Sequence, residues 1–181
     1  DFAGTVVHPQ FWPENLDYKD KRVIVIGSGA TAMTLIPAMA KEAASVTMVQ
    51  RSPTYVVSRP DEDKVANFMR RWLPEKLAYA LTRFKNVQMQ RLVYKQSRTR
   101  PAKMKAALLK MVRQELGPEY DVDTHFTPTY NPWDQRLCLV PNADLFTAIK
   151  SGRATVATEQ IDRFTPTGLR LASGAELPAD I

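Results

Sequence analysis

The sequence contains one cysteine, Cys138, and no apolar run that approaches the roughly 20 residues of a membrane-spanning helix. A single cysteine excludes an internal disulfide and favours a reducing compartment. The first residues also lack the basic segment and the apolar run that together mark a signal peptide. We therefore predict a cytoplasmic protein with no transmembrane segment.

Both ends of the sequence have the character of internal segments. The chain starts at Asp1 without an initiator methionine, and it finishes on Ala179-Asp180-Ile181, which is typical of the beginning of a buried strand. A length of 181 residues suits one domain, or one domain with a sizeable insertion. We expect an internal piece of a longer protein.

Positive charge is concentrated in one part of the chain. The net charge is +6, yet residues 61–116 alone hold 14 Lys and Arg against 5 Asp and Glu. Such a segment could bind nucleic acid or an anionic membrane surface through its charge. The commoner interpretation is the solvated side of a helical layer, and we do not expect nucleic acid as a partner.

A βαβ unit is predicted near the start of the chain. Arg22–Ile26 is a short apolar run, typical of a strand covered on both faces. A glycine turn follows, residues 30–44 favour a helix that Pro37 could kink, and Ser45–Gln50 is β-branched and apolar like a second strand. Such a unit should have a right-handed crossover.

The segment 61–116 predicts a helical insertion. A proline precedes each of three amphipathic segments, at Pro60, Pro74 and Pro101, and Gly117 ends the last one. We expect the carboxylates that follow Pro60 to lie in the first helical turn, and each apolar stripe to pack against another part of the protein.

The remainder predicts a loop, a helix and several strands. Residues 118–141 are rich in Pro, Asp and aromatics and predict a long loop. Residues 142–151 favour a short helix, and residues 153–171 alternate like strands that finish in a small β-meander. The predicted fold class is therefore α/β, with a three-layer Rossmann-type architecture around a parallel sheet.

A glycine pattern lies between the first strand and the first helix. The sequence RVIVIGSGATA places Gly27, Gly29 and Ala32 in a GxGxxA arrangement. The first glycine allows a tight turn, the second lets the backbone approach a pyrophosphate, and the small third residue lets helix and strand pack closely. The helix N-terminus offers unpaired N–H groups to phosphates. In this context the pattern predicts a dinucleotide site rather than a turn that binds nothing.

The end of the second strand indicates which dinucleotide is bound. An acidic residue there would accept a hydrogen bond from the ribose 2′-OH of NAD or FAD. This sequence has no acid there, and Arg51 can pair with a 2′-phosphate to which Ser52 can donate. We predict NADP(H), against the alternative that Arg51 is only a surface charge. The predicted cofactor-binding residues are Gly27, Ser28, Gly29, Ala30, Thr31, Ala32, Gln50, Arg51 and Ser52.

No metal site is predicted. His125 has Asp121 and Asp123 nearby in the sequence, but two carboxylates and one histidine are a poor ligand set. Cys138 has no evident base beside it and is interpreted as a core residue.

The first residues carry a second pattern. The segment FAGTVVHPQFWP resembles the Baeyer–Villiger monooxygenase fingerprint, FxGxxxHxxxW followed by Pro or Asp. Its fixed positions are Phe2, Gly4, His8, Trp12 and Pro13. Without the resemblance, His8 and Trp12 would be interpreted as packing residues of a linker. The resemblance implies that the fingerprint acts in interdomain motion, as a linker element rather than a catalytic group.

Nearly the whole chain is similar to the subgroup of that family that includes the ethionamide-activating enzymes. The segments that carry the similarity are VIVIGSGATAMTLIPAMA, VTMVQRSPTY, YNPWDQRLCLVPNADLF and LRLASGAELPADI. The resemblance implies an interdomain linker at residues 1–21 and an NADP(H)-binding domain at residues 22–181, with the insertion at 61–116. It also implies a flanking FAD domain of the same polypeptide, which this chain does not contain.

The resemblance assigns one catalytic residue. Family members carry an arginine in the long loop that reaches the flavin, and its counterpart is Arg136 in the segment PWDQR. Its implied role is to stabilise negative charge on the flavin peroxide and on the intermediate formed with a ketone. Many relatives have Lys directly before this arginine, whereas this chain has Gln135, so Arg51 is expected to carry more of the 2′-phosphate contact. Without the family, Arg136 would be interpreted as part of an ordinary loop salt bridge.

The implied activity is that of an NADPH- and FAD-dependent monooxygenase. With O₂ it would convert a ketone into an ester or lactone, or oxidise a sulfur atom, and the isolated chain is expected to be inactive. Two alternatives stay open. One is an N- or S-hydroxylating flavin monooxygenase, and the other is an electrostatic binder of nucleic acid or membrane surfaces through residues 61–116.

Overall fold

Eight strands and six helices follow one another in a computed structural model that describes residues 1–181. A 3₁₀ turn at Pro9–Phe11 precedes them. Their bounds are β1 Arg22–Ile26, α1 Ala30–Met39, β2 Ser45–Gln50, β3 Tyr55–Arg59, α2 Lys64–Trp72, α3 Glu75–Thr99, α4 Pro101–Leu116, α5 Val122–Phe126, β4 Leu137–Pro141, α6 Asp144–Lys150, β5 Ala154–Thr158, β6 Ile161–Thr165, β7 Gly168–Leu171 and β8 Glu176–Pro178.

The central sheet is parallel and has the order β1-β2-β5. Its register aligns Ile26 with Val49, so β1 and β2 end at nearly the same level. The last residues of the chain run along the other edge of β1, where the Ile24 N–H donates to the Ile181 carbonyl over 2.9 Å. The predicted βαβ unit is therefore confirmed, and both of its strands have the predicted bounds.

The two faces of the central sheet contact different layers. Val46 and Met48 of β2 belong to the main core, which the helices complete on one side. Val49, the next residue along the strand, packs instead with Leu169 and Leu171 of the antiparallel sheet β6-β7-β8. Because side chains alternate across a strand, β1, β2 and β5 separate a helical layer from a β layer. The predicted three-layer α/β fold and the small β-meander are confirmed.

Two predicted boundaries differ from the structure. The first helix, expected to reach residue 44, ends at Met39, and the Ala44 N–H then donates to the Lys21 carbonyl over 2.9 Å. That bond turns the chain back to the base of β1 before β2 begins. The carboxylates expected in the first turn of α2 precede it instead, because Asp63 is its N-cap and accepts from the Val65 N–H over 3.1 Å.

The prediction of a loop over residues 118–141 was wrong in two places. It contains the short helix α5 and the strand β4, which pairs in parallel with β3 from Tyr55 opposite Leu137 to Arg59 opposite Pro141. The strand β3 was also not predicted from the sequence. Each of these strands is short, and each is stabilised by a partner far away in the sequence, so neither shows a strong local pattern.

The helical insertion is present, but its packing differs from the expectation. The helix α4 buries Leu108, Leu109 and Val112 in the core, whereas α3 buries only Ala78 and Ser97 over 25 residues. The apolar stripes of α2 and α3 are largely exposed to solvent. For two of the three helices this chain does not provide the expected packing, and the expectation that their stripes pack against another part of the protein stays a prediction. None of the helices combines the length and apolar character needed to cross a membrane.

Candidate dinucleotide-binding site

The glycine turn forms a row of free backbone donors. Gly27 has a φ of +118°, which favours glycine, and its N–H donates to the Val49 carbonyl over 2.8 Å. Gly29 caps α1 without any side-chain hydrogen bond. The backbone N–H groups of residues 28–32 find no acceptor within the chain. These donors, together with the partial positive charge of the helix N-terminus, are suited to an anion such as a diphosphate.

Arg136 lies directly beside this turn. A Cβ placed on Gly29 would overlap the Nη1 atom of Arg136, so the guanidinium occupies the space that the missing side chain leaves. Cys138, two residues further on, has its Sγ atom 3.9 Å from the Ser28 carbonyl oxygen. The loop and β4 therefore bring a permanent positive charge to the donors of the turn, an arrangement not evident from the distance between the two segments in the sequence.

The loop that carries Arg136 is tied to neighbouring elements. The Tyr55 hydroxyl donates to the Tyr130 carbonyl over 2.7 Å, and burial raises the pKa of Tyr55 to about 12. Asp134 pairs with Arg98 of α3, and the rings of Tyr94 and Trp133 meet edge to face with centroids 6.1 Å apart. Helix α3 and strand β3 therefore both hold the loop in place.

The residues at the end of β2 have different surroundings. Gln50 is only 3% exposed, and its amide donates to the His125 carbonyl and to the Thr158 hydroxyl, each over 2.8 Å. Arg51 and Ser52 are exposed just beyond it. The register of β1 and β2 brings this end of the strand next to the glycine turn. The structure turns the Gln50 side chain into the protein. Its predicted role in cofactor binding stays a prediction.

Neither Arg51 nor Arg136 has a carboxylate within salt-bridge distance. The alternative that Arg136 belongs to an ordinary loop salt bridge is therefore wrong, because Asp134 of this loop pairs with Arg98 instead. Two unpaired guanidinium groups and a row of unpaired N–H donors thus lie close together, and their charge and geometry suit a multiply charged anion.

His125 contributes to the support of the site rather than to a metal centre. Its Nδ1 atom lies 2.8 Å from the Thr158 hydroxyl, in the same hydrogen-bonded group as Gln50. Burial lowers the pKa of His125, with a smaller opposing effect from Asp121. No cluster of potential metal ligands is present in the chain. The contact between Gln50 and Thr158 could not be predicted from local patterns, because it joins strands more than 100 residues apart.

Cys138 lies in the main core, as predicted. Burial raises the pKa of its thiol, which keeps the sulfur protonated and unreactive.

The fingerprint segment runs beside the outer edge of β1. The Thr5 N–H donates to the Asp180 carbonyl over 3.0 Å, and the ring of Phe2 lies 6.4 Å from that of Phe164 in the meander. A Cβ on Gly4 would collide with the Phe2 ring and with the Asp180 carbonyl oxygen. The glycine of this pattern is thus required by a close approach of two backbone segments.

His8 and Trp12 line an apolar cleft of about 330 Å³ on this edge, whose walls include Ile26 and Leu35. The Nδ1 atom of His8 accepts from the Gln10 N–H, and Trp12 meets Tyr18 edge to face; Pro13 is exposed. None of the fingerprint side chains forms a hydrogen bond with the glycine turn. The structure therefore brings together the predicted cofactor residues and Arg136, and places the fingerprint on the other side of β1.

Comparison with known proteins agrees with this arrangement. The family model described as flavin-binding monooxygenase-like matches residues 1–112. The FAD-containing monooxygenase EthA of Mycobacterium tuberculosis is 57% identical over 182 residues, which cover 100% of this chain and 37% of that protein. The probable FAD-binding monooxygenase AlmA of Acinetobacter baylyi is 55% identical, with 99% of this chain and 36% of that protein covered.

Solved structures show the same fold. An oxidised steroid monooxygenase bound to NADP superposes with a TM-score of 0.69 at 17% identity, covering 99% of this chain and 41% of that one. An open form of cyclohexanone monooxygenase gives 0.68 at 16% identity, covering 99% and 42%.

A parallel sheet with a glycine turn between its first strand and first helix defines a Rossmann-type α/β domain. The chain belongs to the flavin-binding monooxygenase-like family. It spans about 37% of the length of the EthA proteins that it matches.

Proposed function

We propose that this chain is the NADP(H)-binding domain of an FAD-dependent monooxygenase. The observation that carries the proposal is the row of unpaired N–H donors at residues 28–32, flanked by the unpaired guanidinium groups of Arg51 and Arg136. The absence of a side chain at Gly29 lets a charged group approach the backbone of the turn closely, as the Arg136 guanidinium does in this structure and as a diphosphate would. Arg51 and Ser52, exposed at the end of β2, fit a 2′-phosphate.

In the full-length protein, bound NADPH and FAD would supply the redox chemistry by which one oxygen atom of O₂ enters a ketone or a sulfur centre and the other leaves as water. Relatives described as FAD-containing monooxygenases, and a steroid monooxygenase bound to NADP that shares the fold, support this pair of cofactors. The residues of this chain would bind the diphosphate, select the 2′-phosphate and present the charge of Arg136 towards developing anions.

Several parts of this proposal concern the whole polypeptide. We propose residues 1–21 as an interdomain linker, residues 22–181 as the nucleotide domain, and the FAD domain of the same polypeptide as its partner. We also propose that the protein acts in the cytoplasm and that the 181-residue chain alone does not turn over substrate. The tight contact of Gly4 with the Asp180 carbonyl supports a linker that is seated on the domain rather than free.

Calorimetric titration of the chain with NADP⁺ and with NAD⁺ tests the proposal. We expect NADP⁺ to bind at least tenfold more tightly, since hydrogen bonds to charged groups contribute roughly 1.5–3 kcal/mol each. A folded chain that releases no heat and shows no thermal stabilisation with millimolar NADP⁺ would refute it. Equal affinities would leave a dinucleotide site but remove the assignment of Arg51.

A further inference from the structure

The helices α2 and α3 present an apolar face with no partner in this chain. Eleven of the large apolar side chains that are exposed in the structure lie between residues 65 and 94. Phe68 and Trp72 of α2 are 65% and 68% exposed, and Phe84 of α3 is 64% exposed. We call the surface formed by Phe68, Trp72, Leu77, Leu81, Phe84 and Leu92 the insertion face.

Four of the eight large apolar side chains that α3 exposes lie in one stripe along the helix. At 3.6 residues per turn, Leu77, Leu81, Phe84 and Leu92 fall within about 80° of one another around α3 and extend along it for roughly 22 Å. The buried Ala78 lies outside this stripe, on the side that packs. The helix thus keeps its small residues for the interior and points its large apolar residues outwards, the reverse of an ordinary surface helix.

Positive charge surrounds the stripe. Residues 64–99 contain nine Lys and Arg and a single acidic residue, Glu75. Only Lys85 and Arg98 among the nine pair with a carboxylate. Seven cations therefore have no counterion in this chain, next to a surface of exposed apolar side chains. Such a combination is complementary to a partner that is apolar inside and anionic at its boundary.

We propose that the insertion face docks on the surface of an anionic lipid bilayer. Phe68, Trp72 and Phe84 would enter the boundary between headgroups and acyl chains, and the unpaired Lys and Arg would contact lipid phosphates. The guanidinium of Arg71 lies 5.9 Å from the centroid of the Trp72 ring, which places charge and aromatic surface together, as an interface requires. The helices lie on the membrane and do not cross it, in agreement with their charge.

A bilayer fits these observations better than nucleic acid does. A nucleic-acid surface would use the cations and could stack bases on the aromatic rings, but it offers nothing to the aliphatic side chains of Leu77, Leu81 and Leu92. Hydrocarbon beneath a charged surface would bury these side chains, which a nucleic acid would leave exposed. Nucleic acid is therefore an outcome of the test rather than part of the proposal.

The test is co-sedimentation of the full-length protein, and of the 181-residue chain, with lipid vesicles. One set of vesicles contains phosphatidylcholine alone, and the other contains equal parts of phosphatidylcholine and phosphatidylglycerol. We expect partitioning onto the anionic vesicles to exceed that onto neutral ones roughly tenfold, and to decrease at about 1 M salt, where the Debye length is about 3 Å. The double substitution Trp72→Ala with Phe84→Ala should weaken partitioning about tenfold.

Phe11→Ala is the matched control, because Phe11 is an exposed aromatic residue outside the insertion face and should leave partitioning unchanged. Circular dichroism confirms that each variant is folded. The proposal is overturned if the full-length protein stays in solution while the 181-residue chain sediments, since another part of the polypeptide then covers the face. It is equally overturned if the double variant binds normally, or if duplex DNA binds and the vesicles do not. None of these results bears on NADP⁺ binding, so the vesicle experiment and the test of the proposed function are independent.

Discussion

The guanidinium of Arg136 lies against the backbone of Gly29, at the position where a side chain on Gly29 would point. A positively charged group thereby lies over the N-terminus of α1. Substitutions at the turn can therefore test its folding and its proposed binding of a diphosphate separately.

Gly29→Ala should impair binding more than folding. The new methyl group displaces the end of the Arg136 side chain, which can swing away, but it also fills the space that a diphosphate needs. We expect the affinity for NADP⁺ to fall at least tenfold, with the free energy of unfolding changed by less than about 1 kcal/mol. Dinucleotide titration and thermal unfolding measure the two effects.

The control is Gly27→Ala, which adds a methyl group to open space but at a φ of +118°. It should destabilise the protein by about 1–3 kcal/mol through backbone strain. If Gly29→Ala bound NADP⁺ as well as the native chain, the turn would not be the diphosphate site.

Arg51→Ala should affect only one of the two dinucleotides. Arg51 is exposed and unpaired at the end of β2, where it can contact a 2′-phosphate that NAD⁺ lacks. We expect NADP⁺ affinity to decrease about tenfold and NAD⁺ affinity to stay constant. The control is Arg163→Ala, which removes a positive charge from the meander, away from the glycine turn. It should change neither the NADP⁺ affinity nor the NAD⁺ affinity.

Arg136→Ala should weaken both dinucleotides by a similar factor, about tenfold. Its guanidinium lies beside the turn that would hold the diphosphate, a group that the two ligands share. Competition titrations with NADP⁺ and NAD⁺ measure this ratio. A loss confined to NADP⁺ would instead place Arg136 at the 2′-phosphate and contradict the division of roles between the two arginines.

Gly4→Ala should loosen the fingerprint segment from the domain. The added methyl group would collide with the Phe2 ring and the Asp180 carbonyl, and the bond from the Thr5 N–H to that carbonyl would lengthen or break. We expect a destabilisation of about 1–3 kcal/mol in chemical unfolding. Thr5→Ala is the control, since its side chain forms no hydrogen bond, and an equal loss in both variants would exclude steric crowding as the cause.

Stability should decrease as the pH falls through the range of histidine titration. Burial lowers the pKa of His125 in the folded protein, so the unfolded chain takes up the proton first. The contribution of His125 is therefore complete above about pH 6.5 and is lost as the pH falls towards the lowered folded value. Thermal unfolding midpoints between about pH 8 and pH 5 measure the effect.

His125→Asn keeps an acceptor near the Thr158 hydroxyl but does not titrate, so it should flatten this pH dependence. His8→Gln should leave the pH dependence as it is. An unchanged slope in His125→Asn would show that other groups cause the dependence.

Local patterns predicted the βαβ unit because its signals are short-range. The apolar runs of β1 and β2, and the glycines between them, lie within 30 residues and need no distant partner to be recognised. The contact of Arg136 with Gly29 and that of Gln50 with Thr158 join segments about 107 residues apart, and only the folded sheet brings them together. Similarly, helical periodicity predicted the apolar stripe of α3 but not what would cover it.

The number of residues in the buried strand β2 determines where Arg51 lies. Val46 and Met48 face the helices while Val49 faces the meander, so both sides of the strand have fixed occupants. Removing one residue from this strand would exchange the two sides and carry Gln50 away from its partners in the helical layer. We expect the preference for NADP⁺ over NAD⁺ to change as well, although every residue of the glycine turn would be intact. The length of a buried strand would thus affect binding at the protein surface.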